Sequence, residues 1–187
     1  MELAMTIPAQ AFAALKTRRR NLVGRTGCGL CGIESLEQAV PNAVTVGSGI
    51  SIEHSALQAA VLALGQCQSL KRLTGGVHGA AWCNTKGVIE LVREDVGRHN
   101  ALDKLLGALQ ETAIPRNGFA LVTSRASYEM VNKAAACNVQ ILAAVSAPTS
   151  LAVQQAEQSG LTLVGYLQPG RQVIYTNSQR IRQEPTA

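Results

Sequence analysis

The feature that most constrains this sequence is a set of apolar stretches that do not alternate with polar residues. GFALVTS (118–124), VQILAAVSA (139–147) and LTLVGYL (161–167) each hold successive apolar side chains, and ASYEMVNKAAACN (126–138) and LAVQQAEQSG (151–160) stand between them at helical periodicity. A strand that is apolar on every residue is buried on both faces, and such strands interleaved with helices predict an α/β fold with a mostly parallel sheet. VIYT (173–176) reads as a last short strand. Upstream, AAWCN and VIELVRED flank the turn NTKG and read as a β-hairpin. Ser51 is a plausible N-cap for a helix that carries Glu53, Leu57, Val61 and Leu64 and runs to about Leu70. Asn100 to Leu109 is a second helix, with Leu102, Leu105, Leu106 and Leu109 on one face. The expected architecture has three layers, with helices on both faces of the sheet.

At 187 residues and 47% hydrophobic content the chain can build one main core. Residues 51–187 are expected to form it. Residues 1–50 read as an appendage: a helix over Ile7–Arg19, a glycine-punctuated loop over Asn21–Gly32, and a mobile small-residue linker, PNAVTVGSGI, over Pro41–Ile50. No stretch approaches the roughly 18 uncharged apolar residues of a membrane span, and the N-terminus lacks the pattern of a secretory signal, so a cytoplasmic protein without membrane contact is expected. Five cysteines, an odd number scattered along the chain, do not suit a disulfide framework.

The segment RTGCGLCGIE places Cys28 and Cys31 three positions apart among glycines. A pair of this kind can hold a metal, cycle as a disulfide or carry sulfur as a persulfide. A structural zinc site usually takes four ligands, and no second pair exists, which leaves only a site shared between two chains. A thioredoxin-type motif belongs at a strand-to-helix junction, whereas this one lies in a loop ahead of the α/β pattern. Lys16, Arg18, Arg19, Arg20 and Arg25 precede it in a chain of net charge +5. Those cations read either as a solvated helix end or as groups that favour the thiolate and attract phosphates. Aromatic residues make up only 3% of the chain, so no stacking platform for nucleic acid is expected.

In a sheet of this kind ligands sit beyond the carboxyl ends of the strands. Two segments fall there. REDVGRHNALDK (93–104) gathers Glu94, Asp95, Arg98, His99, Asn100 and Asp103. TSRASYE (123–129) presents Ser124, Arg125 and Ser127, a guanidinium, hydroxyls and helix N–H groups suited to a phosphate, with ordinary capping by Ser127 as the alternative. A third stretch, TGGVHGAAW (74–82), lets the backbone approach a ligand beside His78. His54 is assigned no role.

GRTGCGLCGIE, TGGVHGAAW, REDVGRHNALDKLLG, SRASYEMVNKAA and LVGYLQPGR, in this order, resemble the formate dehydrogenase accessory sulfurtransferase family, FdhD, from about Phe12 to Tyr175. The resemblance implies a sulfurtransferase that accepts sulfur from a cysteine desulfurase as a cysteine persulfide. The sulfur would pass to bis-molybdopterin guanine dinucleotide, a step required for formate dehydrogenase activity. By position Cys28 is the sulfur acceptor and Cys31 its motif partner. Ser124, Arg125 and Ser127, with Arg98 and His99 opposite and His78 nearby, are the expected lining of the cofactor pocket. The family's core resembles the cytidine deaminase fold, whose zinc motifs would fall on His99-Asn100-Ala101 and Arg125-Ala126-Ser127-Tyr128. The catalytic glutamate and both cysteine ligands are missing there, so no zinc is expected. Family members carry a longer N-terminal region, and MELAMTIPAQAF stands where its last strand and helix would be. A homodimer is the default assembly. Two other classes stay open: a non-catalytic guanine nucleotide or molybdopterin-binding chaperone, and a thiol oxidoreductase.

Overall fold

In the computed structural model of the chain, residues 6–10, 12–13 and 43–183 are described. The chain divides into two units, Met1–Asn42 and Ala43–Ala187. In the first, Ala9, Gln10, Phe12 and Ala13 are helical, within the helix predicted over 7–19. Cys28, Cys31 and the basic run before them lie outside the described residues.

The second unit runs β1 (Ile52–Glu53), α1 (His54–Cys67), α2 (Ser69–Thr74), β2 (His78–Asn84), β3 (Ile89–Asp95), α3 (Arg98–Glu111), β4 (Gly118–Val122), α4 (Tyr128–Ala136), β5 (Ile141–Ala144), α5 (Ser150–Ser159), β6 (Thr162–Gln168), β7 (Arg171–Ile174), a 3-10 turn (Ser178–Arg180) and β8 (Ile181–Arg182). Six strands form one sheet in the order β3-β2-β4-β5-β6-β7.

The apolar runs have the anticipated cause. On one face of the sheet Ala81, Cys83, Phe119, Leu121, Ile141, Ala143 and Val164 pack with Ala56, Leu57, Ala60 and Leu64 of α1. On the other, Ala80, Trp82, Ala120, Val122, Leu142, Ala144 and Leu163 pack with the leucines of α3, with Met130, Val131, Ala134 and Ala135 of α4, and with Ala152 and Ala156 of α5. Successive residues of a strand point to opposite faces, so both sets must be apolar. At Gly118 the sheet is close-fitted: a Cβ there would run into the Cys83 carbonyl oxygen.

The sheet is mixed rather than mostly parallel. Only β4–β5 and β5–β6 are parallel. The pairs β2–β3, β2–β4 and β6–β7 are antiparallel. Two-face burial sets which residues a strand contains but not its direction, and two hairpins, β2–β3 and β6–β7, reverse the edges.

The helix expected from Ser51 starts later and stops earlier. Ile52 and Glu53 extend to pair with Ile181 and Arg182 of β8, and the Ser51 hydroxyl accepts from Arg182 Nε at 2.6 Å instead of capping a helix. At Gln68 the backbone leaves helical geometry and α2 restarts with its first amides on Glu94, whose carboxylate accepts from Leu70 N at 2.8 Å and Lys71 N at 3.0 Å.

The linker also differs from its expected mobility over its described part. Val46 N donates to Ser159 O at 2.9 Å, Gly47 N to Asn138 Oδ1 at 2.7 Å and Ile50 N to Gln140 Oε1 at 3.3 Å. Arg180 clasps the same corner, donating to Gly160 O at 2.7 Å, Thr162 Oγ1 at 3.3 Å and Gly47 O at 3.1 Å. Small residues let this backbone lie flat on the core, a feature that composition alone reads as looseness.

Candidate functional site at the strand tips

The carboxyl ends of β3, β4 and β5 and the start of antiparallel β2 lie at one end of the sheet. His78 begins β2 opposite Asp95, the last residue of β3. Beyond it, Gly79 N donates to Thr123 Oγ1 at 2.9 Å and Thr123 N to Gly79 O at 3.0 Å, which brings the TGGVHG and TSRAS segments side by side. After β5, Thr149 N donates to Ala126 O at 3.0 Å, so the loops after β4 and β5 are also joined.

The helix starts carry the polar groups. Arg98 and His99 open α3, and Ser127 is the residue before α4. His99 Nε2 lies 3.1 Å from Ser127 Oγ and 3.1 Å from Glu129 Oε2. The Ser127 hydroxyl donates to that same carboxylate oxygen at 3.3 Å. One turn further along both helices Lys133 Nζ meets Asp103 Oδ2 at 2.6 Å. Ser127 thus occupies the N-cap position with extended backbone but makes no capping bond, because its hydroxyl is engaged with the side chains across the helix pair. Met130 N donates to Ser127 O at 3.1 Å, and the partial positive charge of the α4 N-terminus is what remains to favour an anion.

Burial holds the His99 pKa below the ordinary imidazole value; Glu129 and Asp103 oppose that effect, and Arg98 and Lys133 add to it. The arrangement is not a hydrolase relay, in which hydroxyl and carboxylate sit on different imidazole nitrogens. Here both sit on Nε2.

Of the remaining predicted residues, Ser124 is buried at 5% exposure and its hydroxyl donates to Arg125 O at 2.9 Å, so it shapes the turn and presents nothing outward. Arg125 is exposed. The Arg98 Nε is buried without a hydrogen-bond partner. Neither guanidinium joins an ion pair among the described residues; those pairs are His99–Glu129, Lys104–Asp95 and Lys133–Asp103. Several polar groups of REDVGRHNALDK have structural duties instead. Glu94 caps α2, and Asp95 receives Gly97 N at 2.9 Å, Asn100 Nδ2 at 3.2 Å and Lys104 Nζ at 2.5 Å. An open cleft of about 630 Å³ lies astride edge strand β3, bordered by Cys67, Leu70, Arg93, Glu94, Lys104 and Glu111; it takes in part of the 93–104 segment, but His78, Arg98, His99, Ser124, Arg125 and Ser127 do not line it.

Glu129 is the participant that sequence reasoning assigned no role. An acidic residue in the first turn of a helix is read as dipole complement, and only the approach of α3 reveals its second partner.

The arrangement is that of a mixed α/β domain with charged helix starts gathered at one end of its sheet, and comparisons with known proteins give it a family. The sequence profile of the FdhD/NarQ family matches residues 2–182. The chain is 52% identical over 181 residues to the sulfur carrier protein FdhD of Cupriavidus necator, covering 96% of this chain and 63% of that protein. It is 51% identical over 180 residues to the protein of the same name from Xanthomonas euvesicatoria, covering 96% and 64%. A crystal structure of a formate dehydrogenase accessory protein from Desulfotalea psychrophila matches with a TM-score of 0.71 at 28% identity, covering 78% of this chain and 61% of that one. The chain belongs to the FdhD/NarQ family. It spans a little under two thirds of the length of these relatives.

Proposed function

We propose that the chain acts as a sulfur carrier in the maturation of formate dehydrogenase, receiving sulfur from a cysteine desulfurase and delivering it to bis-molybdopterin guanine dinucleotide held as cargo. The relatives' shared name, sulfur carrier protein, supports the sulfur half of this reading. The ligand half rests on one observation: Arg98 and Arg125, both without an acidic partner among the described residues, stand at the His99–Ser127 junction beside the uncapped start of α4. Guanidinium groups beside a helix start fit the phosphates of a dinucleotide, and the buried, orphaned Arg98 Nε is a donor that an anion would satisfy.

The chemistry needs a thiolate. Cys28 attacks the terminal sulfur of the desulfurase persulfide; a new S–S bond forms and the desulfurase thiolate leaves. For release, Cys31 either attacks the inner sulfur of the Cys28 persulfide, forming a Cys28–Cys31 disulfide and expelling hydrosulfide, or takes over the outer sulfur and relays it. Cargo phosphates at the strand tips would hold the acceptor while this occurs. We further infer a cytidine deaminase-like core. The meeting of His99 at the start of α3 with Ser127 at the start of α4 supports it, since deaminases place their zinc motifs at two such helix starts. At the positions of the two thiolates this chain has Arg125 and Tyr128. The assembly is read as a cytoplasmic homodimer serving formate dehydrogenase.

Mass spectrometry after incubation with a cysteine desulfurase and cysteine tests the sulfur step. The expected result is a gain of one sulfur, about 32 Da, that disappears in Cys28→Ala. A wild-type chain that gains nothing refutes sulfur transfer. A chaperone that merely holds the cargo would tolerate Cys28→Ala in formate dehydrogenase maturation, and a thiol oxidoreductase would be indifferent to Arg125→Ala.

A further inference from the structure

His99 Nε2 has one position to fill, with either a proton or a lone pair. Two oxygens face it at 3.1 Å, Ser127 Oγ and Glu129 Oε2. A lone pair directed at a carboxylate oxygen at that distance would be repelled, whereas an N–H is attracted. The Ser127 proton already has an acceptor in the same Oε2 at 3.3 Å. The consistent pattern is Nε2–H donating to Glu129, with Ser127 donating alongside. In the neutral ring Nδ1 then carries the lone pair, and it has no hydrogen-bond partner among the described residues.

We propose that Glu129 is a positioning residue: it holds His99 in the Nε2–H tautomer, so that Nδ1 is the hydrogen-bond acceptor offered to a ligand at the strand tips. The ligand class follows from the neighbours. Arg98 and Arg125 suit phosphates, and an acceptor nitrogen beside them suits an N–H or O–H donor, a combination that a nucleotide's base and sugar provide. This step rests on the anion-holding reading above.

The charged groups facing His99 are Glu129 and Lys133 from α4 and Arg98 and Asp103 from α3. Burial and the cations keep the ring neutral around neutral pH, the state in which Nδ1 can accept. On acidification the ring becomes a donor at both nitrogens, and the acceptor is lost while positive charge is gained.

The full chain, uniformly labelled with ¹⁵N, allows a direct test by long-range proton–nitrogen correlation spectra of the histidine rings. Wild type is expected to show His99 protonated on Nε2 and bare on Nδ1. In Glu129→Ala, Ser127 becomes free to donate to Nε2 and the ring is expected to turn to the Nδ1–H tautomer, with Glu129→Asp restoring at least part of the original. His99 found with Nδ1–H in wild type, or an unchanged tautomer in Glu129→Ala, overturns the proposal. Thermal unfolding of each variant establishes that it is folded, and the wild-type ring spectrum decides the proposal if Glu129→Ala is not.

GDP titrated by calorimetry supplies the second readout. Glu129→Ala is expected to weaken GDP binding about threefold to tenfold at neutral pH, the effect of one misdirected hydrogen bond, with recovery in Glu129→Asp. A tautomer that turns while GDP affinity stays constant overturns the presentation of Nδ1 to the ligand. Absence of GDP binding in wild type refutes the anion-holding reading instead, and the ring spectra still decide the role of Glu129.

Discussion

Lys104 reaches back along α3 to Asp95, its Nζ 2.5 Å from the carboxylate, and the same ammonium covers the Glu94 carbonyl oxygen at 3.2 Å. With Gly97 N and Asn100 Nδ2 also on Asp95, the carboxylate ties the end of β3 to the first turn of α3, where Arg98 and His99 stand.

The Lys104 hydrogen bond, followed by those from Gly97 and Asn100, lowers the Asp95 pKa from 3.8 to about 2. A carboxyl whose folded pKa is depressed contributes stability above its unfolded value, and that contribution disappears as pH falls through the folded value. The turn is therefore expected to hold from neutral pH down to about 4 and to loosen toward 2. A carboxyl-carbon NMR titration of Asp95 with a midpoint near its ordinary value would contradict this. Asp95→Asn should remove the pH dependence and speed amide exchange at Gly97.

Arg98 and Arg125 differ in setting, and their replacement should differ in effect. Charge-assisted contacts contribute about 1.5 to 3 kcal/mol, less where solvent screens them. Arg125 is exposed, so Arg125→Ala is expected to weaken GDP binding at the lower end of that range and to do so more at low salt. Arg98, with its Nε already out of water, should stand at the upper end. Calorimetry at two ionic strengths checks both, and equal, salt-independent losses would argue against direct phosphate contact.

Burial in the sheet pushes the Cys83 thiol up to about 12, with Cys67 and Glu90 adding to the effect. A thiol so far from ionisation is a poor nucleophile. Cys67, by contrast, is exposed. Iodoacetamide applied to the folded chain at neutral pH is expected to label Cys67 and spare Cys83, which should react only after denaturation. Persulfide found on Cys83 would contradict its burial.

Much of this architecture was legible because two-face burial leaves a sequence signature: the runs at 118–124, 139–147 and 161–167 fall on β4, β5 and β6 to within a residue, and the helical pattern between them falls on α4 and α5. Direction was not legible, since Phe119 and Ala120 would be equally apolar in a parallel or an antiparallel neighbour. Nor was the break at Gln68, which depends on Glu94, 26 residues away, accepting the amides of the next helix. At the site, loop chemistry singled out Arg98, His99, Arg125 and Ser127, because charged groups at helix starts exceed what a connection requires. Glu129 escaped because its second partner lies on another helix. Ser124, grouped with Arg125 and Ser127 as a phosphate ligand, donates its hydroxyl proton to the Arg125 carbonyl oxygen of its own turn.

The Arg180 clasp lies at the end of the sheet remote from the strand tips, where β6 begins and where the chain passes Gly47. At this heel of the domain one arginine commits its guanidinium to the protein, whereas at the toe Arg98 and Arg125 stay outside the ion pairs that bind the loops together. A lesion at the heel should surface as collapse of the whole body on heating. Loss of Arg98 or Arg125 at the toe should leave the melting curve nearly unmoved and change only what the protein can hold.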